Sequence, residues 1–320
     1  MSSHFGNPLL EQRQLIEGKA FVHRSDEAAI ELVGGESLRW LHALTSQNLV
    51  NLQFGESAEA LILDPRGHIE HQLKVIATSS GAYVVTSAER VDDLVAWLEK
   101  MKFRTQVEIK KSDLKVVGLF TQLEIDSPCW LDPWGTEPVG SVRYAATSQP
   151  FGYREYLVRN ISEITLPQAG LMAYAALRIS AGRPEITDVD ERALPHEFDW
   201  LSSGVHLSKG CYRGQETVAK VHNLGHPPRR LALLNLEVGD VLARPGESVL
   251  HNEREVGTVL ASALHFENGS LALALLGRVT PYTDLKVAGV SASQQVLVPA
   301  DAGKAANLPR PSAFKLSGKK

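Results

Sequence analysis

Apolar and polar positions change their spacing several times along the first 130 residues, and this pattern predicts strands mixed with helices. Alternation over 28–33 and apolar runs on both sides of the turn sequence at 64–67 predict a strand followed by a hairpin. Helical spacing over 37–44 and 89–100 predicts two amphipathic helices. These elements together predict an α+β domain.

The later part of the chain has a different pattern. Residues 172–181 have helical spacing and stop at Gly182, a normal helix end. From residue 231 onward, short apolar runs are separated by turns rich in Gly, Pro and Asn. These runs cover 231–238, 248–250, 256–264 and 271–276. Short strands at this spacing predict a small β-barrel or sandwich.

A breaker-rich connection at the start of the middle segment suggests a division of the chain. We predict an N-terminal α+β domain over 1–126, a middle domain over 127–228, a C-terminal β-barrel over 229–302 and a tail over 303–320. The tail contains five cations, no acids and two prolines, a composition typical of disorder.

Composition narrows the class of function. Apolar residues make up 43% and charged residues 22%, as in soluble globular proteins. A formal charge of −4 gives no global basic field, so we expect no strong direct nucleic-acid binding. The sequence has no apolar run of about 18 residues and no N-terminal apolar signal. Its two cysteines, Cys129 and Cys211, suit a reducing compartment, and we expect a cytoplasmic protein that does not bind membranes.

Residues 209–216 read KGCYRGQE and form the candidate site. The two glycines allow a sharp turn and close approach of the backbone to a ligand. Lys209 and Arg213 flank Cys211, and nearby positive charge favours a thiolate. Cys211 is therefore the candidate catalytic residue, as a nucleophile, redox group or transient metal ligand. A turn with an incidental cysteine is the alternative.

The string KGCYRGQE, followed by TVAK, resembles the signature of the YgfZ-type folate-binding proteins, which are relatives of the T-protein (aminomethyltransferase) of the glycine cleavage system. Phrases at 38–48, 63–69, 177–184 and 195–197 resemble other family segments and occur in family order. The resemblance implies an α+β, T-protein-like multidomain ring around a central folate-sized cavity, with a C-terminal small β-barrel. It also implies tetrahydrofolate or a derivative as cofactor.

Several side chains could contact such a folate. Gln215 offers a donor and an acceptor to a pterin edge, and Arg178 could pair with the glutamate tail unless it is an ordinary surface arginine. Glu216 could cap the following helix, or its carboxylate could hold Arg213 or Lys220. The candidate cofactor-binding residues are Lys209, Gly210, Tyr212, Arg213, Gly214, Gln215, Glu216, Arg178, Ser180, Glu197 and Glu70.

Two positions depart from the family pattern. T-proteins carry paired aspartates where this chain has Glu70 and His71, and His71 cannot supply the negative charge that stabilises a developing cation. Family members commonly carry glutamate where this chain has Ser180. The missing carboxylate could come from Glu185, Glu197 or Asp199. Otherwise folate binds more weakly, or the ligand differs.

The resemblance implies a folate-binding accessory protein that supports iron–sulfur cluster assembly or repair, and thereby iron–sulfur enzymes such as tRNA-modifying ones. Its expected partners are folate and the iron–sulfur assembly machinery or client iron–sulfur enzymes, with Cys211 as the functional thiol. A tetrahydrofolate-dependent aminomethyl or methyl transferase is the main alternative, and a thiol enzyme with a histidine base is a third. We expect no metal site, because His206, His222 and His226 accompany Cys211 without any CxxC pair.

Overall fold

The structure is a computed structural model that describes residues 3–145, 151–238 and 241–306 of the 320-residue chain. Within these residues the α-helices are α1 (Pro8–Ile16), α2 (Ser37–Leu44), α3 (Val91–Met101), α4 (Leu171–Ser180) and α5 (Gln215–Leu224). The strands are β1 (Phe21–His23), β2 (Glu27–Val33), β3 (Ser57–Leu63), β4 (Ile69–Ala77), β5 (Gly81–Ser87), β6 (Glu108–Lys111), β7 (Lys115–Leu119), β8 (Cys129–Leu131), β9 (Arg154–Val158), β10 (Gln168–Ala169), β11 (Arg229–Leu236), β12 (Ser248–His251), β13 (Arg254–His265), β14 (Gly269–Gly277), β15 (Leu285–Val287) and β16 (Val290–Val296). Short 3-10 helices cover Ile161–Glu163, Ile186–Asp188 and Pro195–Phe198.

The first sheet is antiparallel, has the order β3-β4-β5-β2-β6, and contains the hairpin predicted from the sequence. Helices α2 and α3 cover one face of it, because Leu41, Leu94 and Leu98 pack with the apolar side chains of β4 and β5 in a separate core. The other face of β4 carries Gln72 and Lys74, both buried. One face of the first sheet is thus apolar, and the other face is also buried but carries charged and polar side chains.

The second sheet has the order β10-β1-β7-β9-β8, in which only the pairing of β1 with β10 is parallel among the described strands. Strands β1 and β2 follow each other in the chain but belong to different sheets. Residues 24–26 therefore lie where the two sheets part, and Arg24 is buried there at 1% exposure.

The C-terminal strands close into a barrel with the order β11-β14-β13-β12-β15-β16. Small residues such as Ala232, Ala272 and Ala274 fill the narrow interior together with leucines. The alternate residues Leu231 and Leu273 point outward into the main core of the protein. Strands β11 and β14 are consequently apolar on both faces, which explains their continuous apolar sequences.

Most predicted elements are present with boundaries shifted by a few residues. Strands β15 and β16 were not predicted, because β15 has only three residues and Gln294 stands on the face of β16 that alternation would make apolar. No helix among the described segments combines the length and apolar character needed to cross a membrane. Residues 307–320 of the predicted tail lie outside the described residues.

Candidate functional site

Lys209 fixes the first residue of the motif to the end of helix α2. Its ammonium group donates hydrogen bonds to the backbone oxygens of His42 and Thr45. Carbonyl groups in the last turn of a helix lack partners within the helix, and a cation there also interacts favourably with the helix dipole. Burial lowers the pKa of Lys209 to about 8. Lys209 is therefore an anchor for the loop that follows it.

Tyr212 and Arg213 fix the middle of the motif. The Tyr212 ring is buried, and the Lys209 ammonium lies 5.1 Å from its centroid. Arg213 donates from Nη1 to Oε2 of Glu70 at 2.8 Å and from Nη2 to Oε1 at 3.4 Å. This bidentate pair connects the motif to strand β4.

Gly214 brings the motif backbone against the β3–β4 hairpin. Its φ is +83°, and a Cβ atom at this position would lie 2.6 Å from the backbone oxygen of Asp64 and 2.9 Å from Cα of Gly67. Any other residue would therefore collide with the hairpin as well as adopt a rare backbone conformation. Gln215 closes the loop, because its Nε2 donates to the backbone oxygen of Lys209 at 3.3 Å.

Cys211 lies at the exposed tip of this anchored loop. Both Cys211 and Gly210 are exposed, and a Cβ atom at Gly210 would have no heavy atom within 4 Å. Glu216 is exposed in the first turn of α5, whose N-cap is Gly214 with no side-chain cap. The expectation that Glu216 caps this helix is wrong, and Arg213 pairs with Glu70 instead of Glu216. The two cations that flank the thiol in the sequence thus point at other groups.

The β3–β4 pairing is irregular at Glu70, because Leu63 pairs with Ile69 and Ile62 with His71, and Glu70 and His71 line the same open pocket. Glu70 turns toward the motif and binds Arg213. His71 is buried beside Arg90 and Asp93, and burial, helped by the charge of Arg90, lowers its pKa to about 4. His71 is therefore a neutral imidazole at physiological pH.

Arg178 and Ser180, both on α4, lie away from the motif loop. Arg178 is buried and pairs with Asp188 at 2.8 Å and with Glu185 at 3.0 Å. The hydroxyl oxygen of Ser180 accepts a hydrogen bond from Nδ2 of Asn268, in the turn between β13 and β14, at 3.3 Å. Arg178 is thus engaged in buried ion pairs, and Ser180 lies beside the barrel.

Glu197 is part of a separate ionic group. It is fully buried, accepts from the backbone N–H of Leu194 at 3.0 Å and pairs with Arg229 at 2.8 Å. Arg229 also binds Asp190. The structure therefore places the candidate residues in several regions, with Glu70 joined to the motif and with Arg178, Ser180 and Glu197 outside it.

A buried charge network fills the junction between the two sheets. Arg24 donates to Glu27 at 2.9 Å, to Glu155 at 3.0 Å and to Glu185 at 2.8 Å. Lys74 binds Glu155 at 2.7 Å and Glu27 at 2.5 Å. Burial raises the pKa of Glu27 to about 8, against the opposing effect of Arg24. Two cations thus contact a carboxyl group whose pKa lies well above its usual value.

Arg183 is the cation of a second group of buried carboxylates. It binds Glu59 at 2.7 Å and Asp132 at 3.1 Å, and all three side chains are at most 2% exposed. Burial raises the pKa of Asp132 to about 6. Oε1 of Glu59 also accepts from Nε2 of Gln72 at 2.5 Å.

A small cavity opens beside the network. It has a volume of about 200 Å³ and is lined by Arg24, Glu27, Gln72, Lys74, Thr86, Glu185 and neighbouring residues. Sites for drug-sized ligands usually measure about 300–1,000 Å³. The cavity could enclose a bicyclic ring but is too small for a whole folate. Within the described part of the chain, no three His, Cys, Asp or Glu side chains form a metal site.

Sequence reasoning missed the network, although two local signals pointed to it. Lys74 interrupts the apolar run 73–77 in β4, and Glu59 stands between two alanines at the start of the apolar run of β3. A charged residue that breaks an apolar strand pattern must find a buried partner. The partners come from distant segments, so the pattern alone does not identify them.

The chain is similar to known proteins in sequence and in structure. No family model matches the chain. A protein of Arabidopsis thaliana described as a candidate chloroplastic transferase is 25% identical, with the match covering 79% of this chain and 63% of that protein. The tRNA-modifying protein YgfZ of Aliivibrio fischeri strain MJ11 is 24% identical over 79% of this chain and 83% of its own length. The YgfZ protein of Photobacterium profundum is 23% identical over 80% and 83%.

Among solved structures, the glycine cleavage system aminomethyltransferase T from Bartonella henselae matches with a TM-score of 0.69. The match covers 91% of this chain and 88% of that one at 16% identity. These findings confirm the resemblance to YgfZ-type proteins, several of which are homologues of this chain. They also confirm the T-protein-like α+β fold with a C-terminal β-barrel.

Proposed function

We propose that this protein is a folate-binding accessory factor of tRNA modification, and that it acts by supporting iron–sulfur cluster assembly or repair. The names of the YgfZ relatives support the link to tRNA modification, and the T-protein-like fold supports folate as the ligand. In this proposal Cys211 is the functional thiol and iron–sulfur enzymes are the clients.

One observation carries the role of Cys211: the residues around it are held in place while its own side chain is free. Lys209, Tyr212, Arg213 and Gly214 bind or pack against helix α2, strand β4 and the β3–β4 hairpin. A rigid loop that presents an exposed thiol suits a group that meets a partner protein or a cluster in transit. A single thiol would hold such a cluster only with ligands from another chain or from small thiols.

The folate part of the proposal assigns only the ring of the ligand to the cavity beside the charge network. Arg24 and Lys74 supply positive charge there, and Glu185 and Gln72 supply acceptors for ring N–H groups. The cavity volume of about 200 Å³ requires the rest of the folate to extend outside.

Complementation tests the thiol. A strain lacking the protein should lose the activity of iron–sulfur-dependent tRNA-modifying enzymes, and the wild-type chain should restore it. Cys211→Ala should fail to restore it, whereas Cys129→Ala, which removes a half-buried thiol in β8, should succeed. Full rescue by Cys211→Ala would refute the assignment of the thiol.

Calorimetry with tetrahydrofolate tests the ligand, with Ser180→Glu and Lys74→Met compared with the wild type. We expect micromolar binding by the wild type and weakened binding by Lys74→Met. Because Ser180 lies beside the barrel, tighter binding by Ser180→Glu would show that the pterin ring reaches the barrel instead of the cavity. Absence of binding by all three proteins would refute folate as the ligand.

The one-carbon transferase is disfavoured by the pairing of Glu70. Arg213 neutralises this carboxylate, and the neighbouring His71 is uncharged. Neither group is an unpaired negative charge aimed at a developing cation. Turnover of aminomethyl or methylated-amine substrates by the purified protein would reverse this conclusion.

A further inference from the structure

The open pocket that Glu70 and His71 line is distinct from the cavity beside the charge network. It has a volume of about 710 Å³, within the usual range of about 300–1,000 Å³ for small-molecule sites. Its lining comes from helix α3 with the residue before it, from the segment 189–191, and from residues 64 and 68–71 around the β3–β4 turn. No residue of this lining belongs to the lining of the other cavity.

This open pocket lies beside the loop that carries the thiol. Glu70 lines the pocket and binds Arg213 of the loop. Asp64 also lines it, and the backbone oxygen of Asp64 lies against Gly214. Cys211 is three residues before Gly214, a separation of at most about 10 Å along an extended chain. A peptide-sized molecule in the pocket is therefore long enough to reach the exposed thiol.

Two cations and two carboxylates of the pocket have no ion-pair partner among the described residues. Arg90 is the N-cap of α3 and Lys100 lies in its last turn, with Asp93 in the first turn between them. Glu191 belongs to the segment 189–191. The guanidinium of Arg90 donates only to the backbone oxygen of Glu70, at 3.1 Å. The other carboxylates of the lining are already bound by neighbouring side chains: Asp64 by His68, Glu70 by Arg213 and Asp190 by Arg229.

His71 gives the pocket a polar side chain without a partner. It is 8% exposed, lines the pocket, and makes no side-chain hydrogen bond within the described part of the chain. Nδ1 is buried whereas Nε2 is not, so Nε2 is the ring nitrogen that a ligand can meet. Polar groups this deeply placed normally have a partner, and a neutral imidazole suits an amide group. The half-exposed ring of Trp97 adds flat apolar surface beside it.

The spacing of the free charges limits the class of ligand. Arg90 and Lys100 are ten residues apart, about 15 Å along a helix. A single amino acid has one carboxylate and occupies only one of these cations. An extended tripeptide spans about 10 Å, and the long side chains of the two cations cover the difference. A phosphorylated ligand would meet the free carboxylates of Asp93 and Glu191, which repel it.

We propose that the open pocket binds a small peptide thiol with a carboxylate at each end and one ammonium group, and that this thiol lies beside Cys211. Arg90 and Lys100 bind the two carboxylates, and Asp93 or Glu191 binds the ammonium group. One protein thiol holds an iron–sulfur cluster only with further ligands, and the bound peptide supplies a second thiolate. The inference rests on the proposed role of Cys211 and names the small-molecule partner in that role.

Thiol–disulfide exchange of the purified full chain with oxidised glutathione tests this site. The Cys211 thiolate attacks one sulfur of the disulfide, the S–S bond breaks, and one glutathione leaves as its thiolate. The product is a mixed disulfide between Cys211 and glutathione, which peptide mass spectrometry locates. We expect the rate to saturate as the concentration of oxidised glutathione rises, because binding precedes the exchange. Bis(2-hydroxyethyl) disulfide has no charged groups and should react without saturation.

Substitutions in the pocket should change the binding step alone. Arg90→Met and Lys100→Met should each raise the half-saturating concentration about tenfold, a typical effect of losing one charge-assisted hydrogen bond. The matched control Arg254→Met, at an exposed position in β13, should leave it unchanged. The rate with bis(2-hydroxyethyl) disulfide should be the same in all four proteins. Lys100 is exposed, so Lys100→Met carries the test if Arg90→Met lowers the melting temperature.

Two results would overturn the proposal: a rate that stays proportional to the concentration of oxidised glutathione, or equal effects of Lys100→Met and Arg254→Met. Complementation by Cys211→Ala is independent of both. If Cys211→Ala fails to complement and the exchange does not saturate, Cys211 keeps its proposed role and only the ligand of the pocket is refuted. If Cys211→Ala complements fully, the role of the thiol is refuted, whereas saturating exchange would still establish the peptide site.

Discussion

The motif loop at 209–216 and the charge network between the sheets are both built from polar groups, but they use them in opposite ways. The loop is one continuous segment, and its ion pair between Arg213 and Glu70 is partly exposed. The network joins residues from separate elements, and Arg24, Lys74 and Glu155 within it are nearly inaccessible to solvent.

This difference predicts different energetic roles. Exposed ion pairs contribute little to stability, typically about 0–1 kcal/mol. Removal of one member of a buried pair leaves an uncompensated charge and is far more costly. The network should therefore contribute strongly to the stability of the packed sheets. The stability of the loop should depend mainly on its backbone conformation, and Cys211 should contribute little to it.

The largest effect is expected for Arg183→Met. The substitution leaves Glu59 and Asp132 buried without their cation, and we expect the free energy of unfolding to fall by about 3–5 kcal/mol. Urea denaturation measures this quantity. Arg104→Met, at an exposed position, should change it by no more than about 0.5 kcal/mol, and equal losses in the two variants would contradict the contrast.

Glu27→Gln tests the protonation of the network. The folded protein holds a proton on Glu27 up to a pKa of about 8, whereas the usual value is 4.5. The folded state therefore binds more protons than the unfolded state between these values, and stability falls as the pH rises through this window. Wild-type stability from pH 5 to 7 should fall by up to about 1.4 kcal/mol per pH unit from this group, and the variant should show a smaller slope. Identical slopes would show that Glu27 is charged in the folded protein.

Gly214→Ala and Gly210→Ala form a matched pair within the motif loop. Gly214 has a positive φ and no space for a Cβ atom, so its substitution should lower the free energy of unfolding by about 1–3 kcal/mol. Gly210 has open space around it, and its substitution should be nearly neutral. Thermal unfolding of both variants checks this, and a loss at Gly210 equal to that at Gly214 would show that the tip is also packed.

The same contrast explains how much the sequence could predict. Local periodicity was sufficient for the β3–β4 hairpin, for α3 and for the first barrel strands. It was insufficient for the second sheet, because β8 and β10 are only three and two residues long. Strands this short have no measurable alternation, and tertiary contacts alone define them.

The sequence also predicted only part of the candidate site. Consecutive residues identified the loop and Cys211, but the partners of Lys209 and Arg213 are 167 and 143 residues away from them in the chain. No local pattern specifies contacts over such separations. The flanking cations therefore seemed to serve the thiol in the sequence, whereas in the fold they anchor the loop.

The smallest effect on stability is expected for Cys211→Ala, and it bears most directly on function. An exposed side chain at the tip of an anchored loop contributes little to folding, so the free energy of unfolding should change by no more than about 0.5 kcal/mol. In the native wild-type protein at pH 8, iodoacetamide should modify Cys211 well before Cys129, because burial raises the pKa of Cys129 to about 11. Peptide mass spectrometry distinguishes the two sites. If Cys211→Ala instead destabilises the protein, or if iodoacetamide does not modify Cys211, the side chain is packed within the loop. Either result would contradict its assignment as the functional thiol.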